Sequence, residues 1–322
     1  MANVFTPNGF SQFQGTGALP TYEQTQLAIQ STNTTPIFSG DPVTQQAGAL
    51  GVGTGYITQG YGPVTLTVGA TGIATSSAGV LTVTYSGATS TSGNLPGSPV
   101  AWIPPVGSTL IINGSTASSA NLNGSFTVTS ATATTVVCAN SGATISATST
   151  ASGTVTIAVP VAGIFVGCRW LSLSQQRPIY RNYWPGSDAN GDVTAYVITD
   201  PLAQFSVMTG NSNTTATAVG LANLGQNIGF NYSQYGITPA TTNGNTANGL
   251  STFFADQYSL IANSAAGPAV NAFLPFRIIQ LQNYTPGALS PLQSINGNDW
   301  TTAYNRIVVG FNNAMPRGFV GI

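Results

Sequence analysis

The chain has 322 residues, 42% of them hydrophobic and only 4% charged. It can therefore build one large or two medium cores, under a surface hydrated by Ser, Thr, Asn, Gln and Gly rather than by charge. Every basic residue is an arginine, neither Lys nor His occurs, and the net charge is −1. These absences exclude Ser-His-Asp triads, histidine-ligated zinc, Walker A loops and lysine Schiff bases. They also leave no basic stripe for nucleic acid or anionic lipid, so nucleic acid, membrane, cofactor and metal are not expected partners.

Residues 1–62 open with "MANVFTPNGF", which lacks the basic and apolar regions of a signal peptide. "FTPNGFSQFQGTGALPTYEQ" has few periodic apolar positions and reads as an extended arm able to wrap a neighbour. In "GALGVGTGYITQGYG" the glycines at 51, 53 and 55 lack the strand, helix and charge of a phosphate loop, so tight turns are expected.

From 63 to 158 alternation becomes strict: Val64, Leu66, Val68; Leu81, Val83, Tyr85; Leu110, Ile112; Phe126, Val128; Val155, Ile157, Val159. Thr and Ser often fill the intervening positions, and Asn113-Gly114 and Asn123-Gly124 punctuate the runs. This is the period of half-buried strands joined by turns, and it predicts a small β-sandwich. The block carries no charged residue, which argues against catalysis within it. Its change of texture marks it as an insertion between 1–62 and 159–322, entered through "GYITQGYGPV" and left through "AVPVAGIFVG". The apolar run "VTIAVPVAGIFVGC" is too short to span a membrane and is broken by Pro160 and Gly163. Cys138 and Cys168 form no CxxC and no disulfide framework, and read as small buried apolar residues.

Beyond 159, strands are expected at 162–173, 192–199, 203–209, 275–282 and 305–311. The segments 214–232 and 251–264 suit a helix or extended packing equally. All six arginines fall in this part. Arg169, Arg277 and Arg306 lie in strand-like runs, with Asp200, Asp256 and Asp299 as candidate partners. Arg177, Arg181 and Arg317, together with Trp184, are candidates for contact with another subunit or a capsid. Exposed Tyr and Trp would mark an interface or a carbohydrate platform.

The densest chemistry is "RPIYRNYWPGSDANGDVTAYVITDP", 177–201. Asp188, Asn190 and Asp192 alternate like the first ligands of a calcium loop, but Val193 and Thr199 stand where that loop needs its Gly and bidentate Glu. Asp188, Asp192 and Asp200 are too few and too unplaced to define a glycosidase pair. Asn190-Gly191 predicts a hairpin turn between strands.

The order "PIFSGDPV", "VAGIFVGCRW", "YWPGSDANGDVTAYVITDPLAQFSV", "PFRIIQLQ" and "YNRIVVGFNN" resembles head decoration (cement) proteins of tailed bacteriophages. "LNGSFTVTSATATTVV" is similar to the Ig-like modules appended to phage structural proteins. The resemblance implies an all-β protein. A β-barrel-like base with an extended arm would be interrupted by an Ig-like β-sandwich, and the whole would be non-enzymatic and a homotrimer. It would be bound to the major capsid protein on the outer surface of the virion, and made in the host cytoplasm. The alternative is a receptor-binding or tail-fibre component whose inserted module meets a host-surface glycan.

Overall fold

A computed structural model of the chain describes residues 3–14, 24–75, 80–90, 102–113, 123–139, 154–237, 243–260, 272–282 and 299–315. The described chain is all-β, and its main ladders close on themselves. The strand Val161–Leu171 pairs with Val193–Ile198, which pairs with Gln24–Ile29, then Gly53–Gln59, then Pro42–Ala47, which returns to Val161–Leu171. This ring is the first barrel. The second runs Gln204–Gly210, Phe254–Asp256, Asn227–Asn231, Phe276–Leu281, Arg306–Phe311 and back to Gln204–Gly210. No helix among the described residues is long and apolar enough to cross a membrane.

Between the two halves of the first barrel, the strands from Val64 to Ala158 pair with one another in a closed six-stranded barrel. Its members are Val64–Thr75, Val80–Ser90, Thr109–Asn113, Gly124–Ala131, Thr135–Ala139 and Thr154–Ala158. The period-2 pattern explains the closure. Leu81, Val83 and Tyr85 point inward and are buried, while the intervening Thr82, Thr84 and Ser86 are partly or fully exposed. Inward side chains from all six strands meet in one core. The Ig-like expectation gives way here. Opposite walls share a core as in a sandwich, but the ladder is continuous, so the open sheet edges of an Ig-like module are not formed.

Aromatic side chains with polar tips fix the insert's base. Trp102 Nε1–H donates to the Tyr61 hydroxyl at 3.1 Å, and the two rings meet edge to face at 5.9 Å. The Tyr85 hydroxyl lies 2.9 Å and 2.8 Å from the carbonyl oxygens of Trp102 and Thr132. Burial drives the Tyr61 and Tyr85 phenols up to about 12, so both stay un-ionised at all ordinary pH.

The expected strands at 162–173, 192–199, 203–209, 275–282 and 305–311 are all present within a residue or two. The described residues of the two undecided segments form short pieces, and 261–264 lie outside the described residues. A 3₁₀ turn at Leu221–Asn223 precedes the strand Asn227–Asn231, and Phe254–Asp256 is a strand that leads into helical residues 258–260. The glycine-rich approach is a turn, Ala49–Gly51, followed by the strand Gly53–Gln59.

The described residues of the arm, 3–14, lie along their own chain. Ser11–Gln14 forms an edge strand on Gln204–Gly210, and Asn3 Nδ2 donates to the Asp299 carbonyl at 2.7 Å. Phe10, 2% exposed, stacks on Phe276 at 4.4 Å inside the second barrel's phenylalanine-rich core. One anchored aromatic outweighs the polar texture around it, because burying a Phe stabilises by roughly 1.5–3 kcal/mol. Phe10→Ala is expected to lower the unfolding free energy by about 3–5 kcal/mol, measured by equilibrium denaturation of the full chain.

Candidate functional site

The charged hairpin of the first barrel gathers most of the residues singled out above. The long strand Val161–Leu171 continues past the barrel wall, and Pro178–Arg181 pairs with its far end. The pairing sets Arg169 opposite Tyr180 and Leu171 opposite Pro178, on the outward face. Arg169 lies over the Tyr180 ring at 5.9 Å, and Arg181 lies over Tyr183 at 5.5 Å while donating to its hydroxyl at 2.9 Å. Arg177 Nε–H donates to Gln175 Oε1 at 2.9 Å, within its own loop. All three guanidiniums are exposed.

Arg177 and Arg181 are therefore placed as surface contacts would require. Trp184 is not. It is fully buried, pairs through a two-residue strand with Ile37–Phe38, and meets Trp170 edge to face at 5.4 Å. Its indole N–H donates to the Asn33 carbonyl at 3.1 Å. Its role is in the first barrel's core, so the expectation of a subunit contact at Trp184 is corrected. Arg317 lies outside the described residues.

The "SDANGD" segment is divided between two structural tasks. The Asp188 carboxylate accepts from the Ser172 hydroxyl, from the Ser174 amide at 2.8 Å and from the Ser174 hydroxyl at 3.1 Å. These donors, Ser172 foremost, hold its carboxyl below the usual range. Asp192 instead accepts from the Tyr56 hydroxyl at 2.7 Å and the Ser31 amide at 3.2 Å. The two carboxylates thus serve different segments rather than one ion. The described residues contain no group of three or more His, Cys, Asp or Glu side chains.

The Asn190-Gly191 turn is present, with Gly191 at φ 84°, but it is not a hairpin. The strand before it pairs with Ile37–Phe38 and the strand after it pairs with Val161–Leu171 and Gln24–Ile29. Long-range pairing overrides the local turn signal.

Two of the strand arginines donate to neutral oxygens. Arg277 Nε–H donates to the Gly225 carbonyl at 3.0 Å, and Arg306 Nη1–H to Asn8 Oδ1 at 3.2 Å. Asp256 accepts from the Ser212 amide and hydroxyl at 3.0 Å and 2.7 Å, and Asp299 from the Thr301 amide and hydroxyl at 3.0 Å and 2.7 Å. A groove of about 410 Å³ on the second barrel, lined by Pro201, Leu202, Gln204, Arg277 and Ile279 among others, has no carboxylate in its wall. Cys138 and Cys168 are unpaired and buried in different cores, and burial lifts each thiol to about 12, which removes them as nucleophiles.

One polar centre carried no expectation. Asp41, fully buried, accepts on Oδ2 from the Phe38 amide at 2.9 Å and from Gln59 Nε2 at 2.8 Å. Its Oδ1 has no partner of ordinary hydrogen-bond geometry, although the Ser251 hydroxyl lies beside the carboxyl and favours its charged form. Desolvation exceeds these bonds and raises the carboxyl from 3.8 to about 7. The surrounding backbone joins three parts of the chain: Phe10 N–H to Gly40 O at 3.0 Å, Gly40 N–H to Phe165 O at 2.8 Å, and Ser251 N–H to Ser39 O at 2.9 Å.

No family model, no curated protein and no solved structure matches the chain.

Two outcomes follow from these placements. Trp184→Ala is expected to cost about 3–5 kcal/mol of stability, whereas Arg177→Gln stays within about 0.5 kcal/mol, both read from denaturation curves. For Asp41, the folded carboxyl holds its proton up to about pH 7 and the unfolded one only to 3.8. Its stabilising contribution is therefore complete below pH 3.8 and is lost as pH rises through 7. Between pH 5 and 8 the unfolding free energy should fall by an amount on the order of a few kcal/mol, and Asp41→Asn should flatten that slope.

Proposed function

We propose that the chain is a non-enzymatic structural component of a tailed-phage particle, a decoration protein that binds the major capsid protein and strengthens the head. The observation that carries this reading is the contrast between its charges. The described carboxylates hold amides and hydroxyls of their own fold, whereas Arg169, Arg177 and Arg181 stand exposed on one projecting hairpin beside Tyr180. That arrangement suits a binding surface better than a reaction centre, because catalysis by carboxylates needs two of them facing one cleft. The segment order quoted above supports the phage assignment. Closed barrels support the structural one, since they hide backbone edges on a particle that meets variable media.

The second reading, a tail component that recognises a glycan, is favoured by exposed Tyr180 and Tyr235 rather than by the insert. Within the insert's described residues, Tyr85 and Trp102 face the core.

Labelled antibody against the protein should decorate heads of the parent particle in many copies. Heads lacking the protein should lose genome at lower temperature or milder osmotic shock than complete ones. Label confined to the tail tip would overturn the decoration reading in favour of the second.

A further inference from the structure

We propose that the outward face of the Val161–Arg181 hairpin docks an acidic protein surface, its three arginines pairing with carboxylates of the partner. The capsid reading supplies only the partner's identity; the chemistry stands on the hairpin itself. Arg169, Arg177 and Arg181 come from a set of six cations in 322 residues, yet fall within a span of thirteen positions on one projecting element. Their described contacts are a Gln side chain and the hydroxyls and rings of Tyr180 and Tyr183, all neutral, so none of the three guanidiniums has a described carboxylate partner. Guanidinium donors are suited to forked pairing with carboxylates.

Among the described residues, a second copy of the chain supplies little complement. Of its described acids, Asp41, Asp200, Asp256 and Asp299 are buried, and Asp188 and Asp192 are occupied by Ser172, Ser174, Tyr56 and Ser31. Nucleic acid fits poorly, because it rewards a longer run of cations than this. A protein surface fits well. Tyr180, Leu173 and Leu171 are 64%, 58% and 42% exposed among the arginines, and Arg and Tyr beside apolar area is the composition of interface centres. Pro178–Arg181 is also the outer strand of its sheet.

The test uses the full chain and a triple variant, Arg169→Gln, Arg177→Gln and Arg181→Gln, with Arg277→Gln as a control cation on the second barrel. Poly-L-glutamate is the first probe, with heparin and poly-L-lysine as comparators, titrated at low and high NaCl. The second probe is heads stripped of the protein. Poly-L-glutamate should bind the wild type and Arg277→Gln alike, about tenfold or more weakly in the triple variant, and more weakly as salt rises. Should the triple variant fail to fold, Arg177→Gln and Arg181→Gln singly should each weaken binding about threefold. No binding of poly-L-glutamate at low salt, binding that the triple variant matches, or a preference for heparin would overturn the proposal. Stripped heads that rebind wild type and triple variant equally would overturn it while sparing the capsid reading. Heads that rebind neither, with poly-L-glutamate binding intact, would overturn the capsid reading and uphold the acidic-partner surface.

Discussion

A chain with so little charge has to satisfy its backbone internally, and closing each β-ladder into a ring is how it does so. An open sheet exposes a row of N–H and C=O groups that invites pairing with other chains, and proteins usually blunt such edges with Lys and other charges. Here there is no Lys to use. The first barrel, the insert and the second barrel each return to their starting strand, which leaves the short strands Ser11–Gln14 and Pro178–Arg181 at the margins of the two larger sheets. The second of these begins with a proline and ends with an arginine, and Arg177 precedes it, so the few cations of the chain stand where an edge needs guarding. Guarding an edge and meeting an acidic partner are compatible duties: the same guanidiniums repel an identical strand and attract a complementary one.

The acids obey a different rule. Asp188, Asp192, Asp256 and Asp299 each take up amides or hydroxyls from a nearby turn or strand end, and hydrogen bonds to a carboxylate are roughly twice as strong as neutral ones. In a fold built from Ser, Thr and Asn this is an efficient use of negative charge, because each carboxylate organises several donors that would otherwise compete for water. Asp41 is the exception in degree. Burial prevails over its donors, as it does at Asp256, and lifts the carboxyl to about 7.

The alternation of the strands was legible in the sequence because half-burial writes a period of two directly into it, and this holds through the insert and the strands after 159. What the pattern cannot carry is which ladder a strand joins. The alternation of Leu81, Val83 and Tyr85 suits a sandwich wall and a barrel wall equally. Gly191 takes the positive φ open to glycine, but the strands on either side find distant partners. Nothing local in "YWPG" marks Trp184 as buried. Its two-residue strand is too short to show a period, and only the pairing with Ile37–Phe38 reveals that it faces inward. Arg177 and Arg181 are exposed, as a guanidinium without a charged partner is costly to bury. Asp41 left one trace, an acid inside the apolar "PIFSGDPV", which is unusual in a chain with seven acids.

The seam around Gly40 and Asp41 is where the arm and the two larger barrels become one molecule. Gly9 passes so close to Ser251 that an added Cβ would sit 2.5 Å from the Ser251 Cβ, and Gly40, at φ 92°, would meet the Phe10 amide nitrogen at 3.0 Å. Both positions need glycine on conformational and steric grounds together, so the seam tolerates little displacement. Phe10 enters the second barrel's core from this point, while the Gly40 amide and the Asp41 carbonyl bond the Phe165 backbone of the first barrel. A neutral Asp41 carboxyl brings a donor to a junction that already holds the unpartnered Gln59 Oε1 and the Ser251 hydroxyl, and an ionised one adds an uncompensated charge to it. The Asp41 carboxyl thus lies at the junction where the arm and the two larger barrels meet, holding the Phe38 amide and the Gln59 side chain.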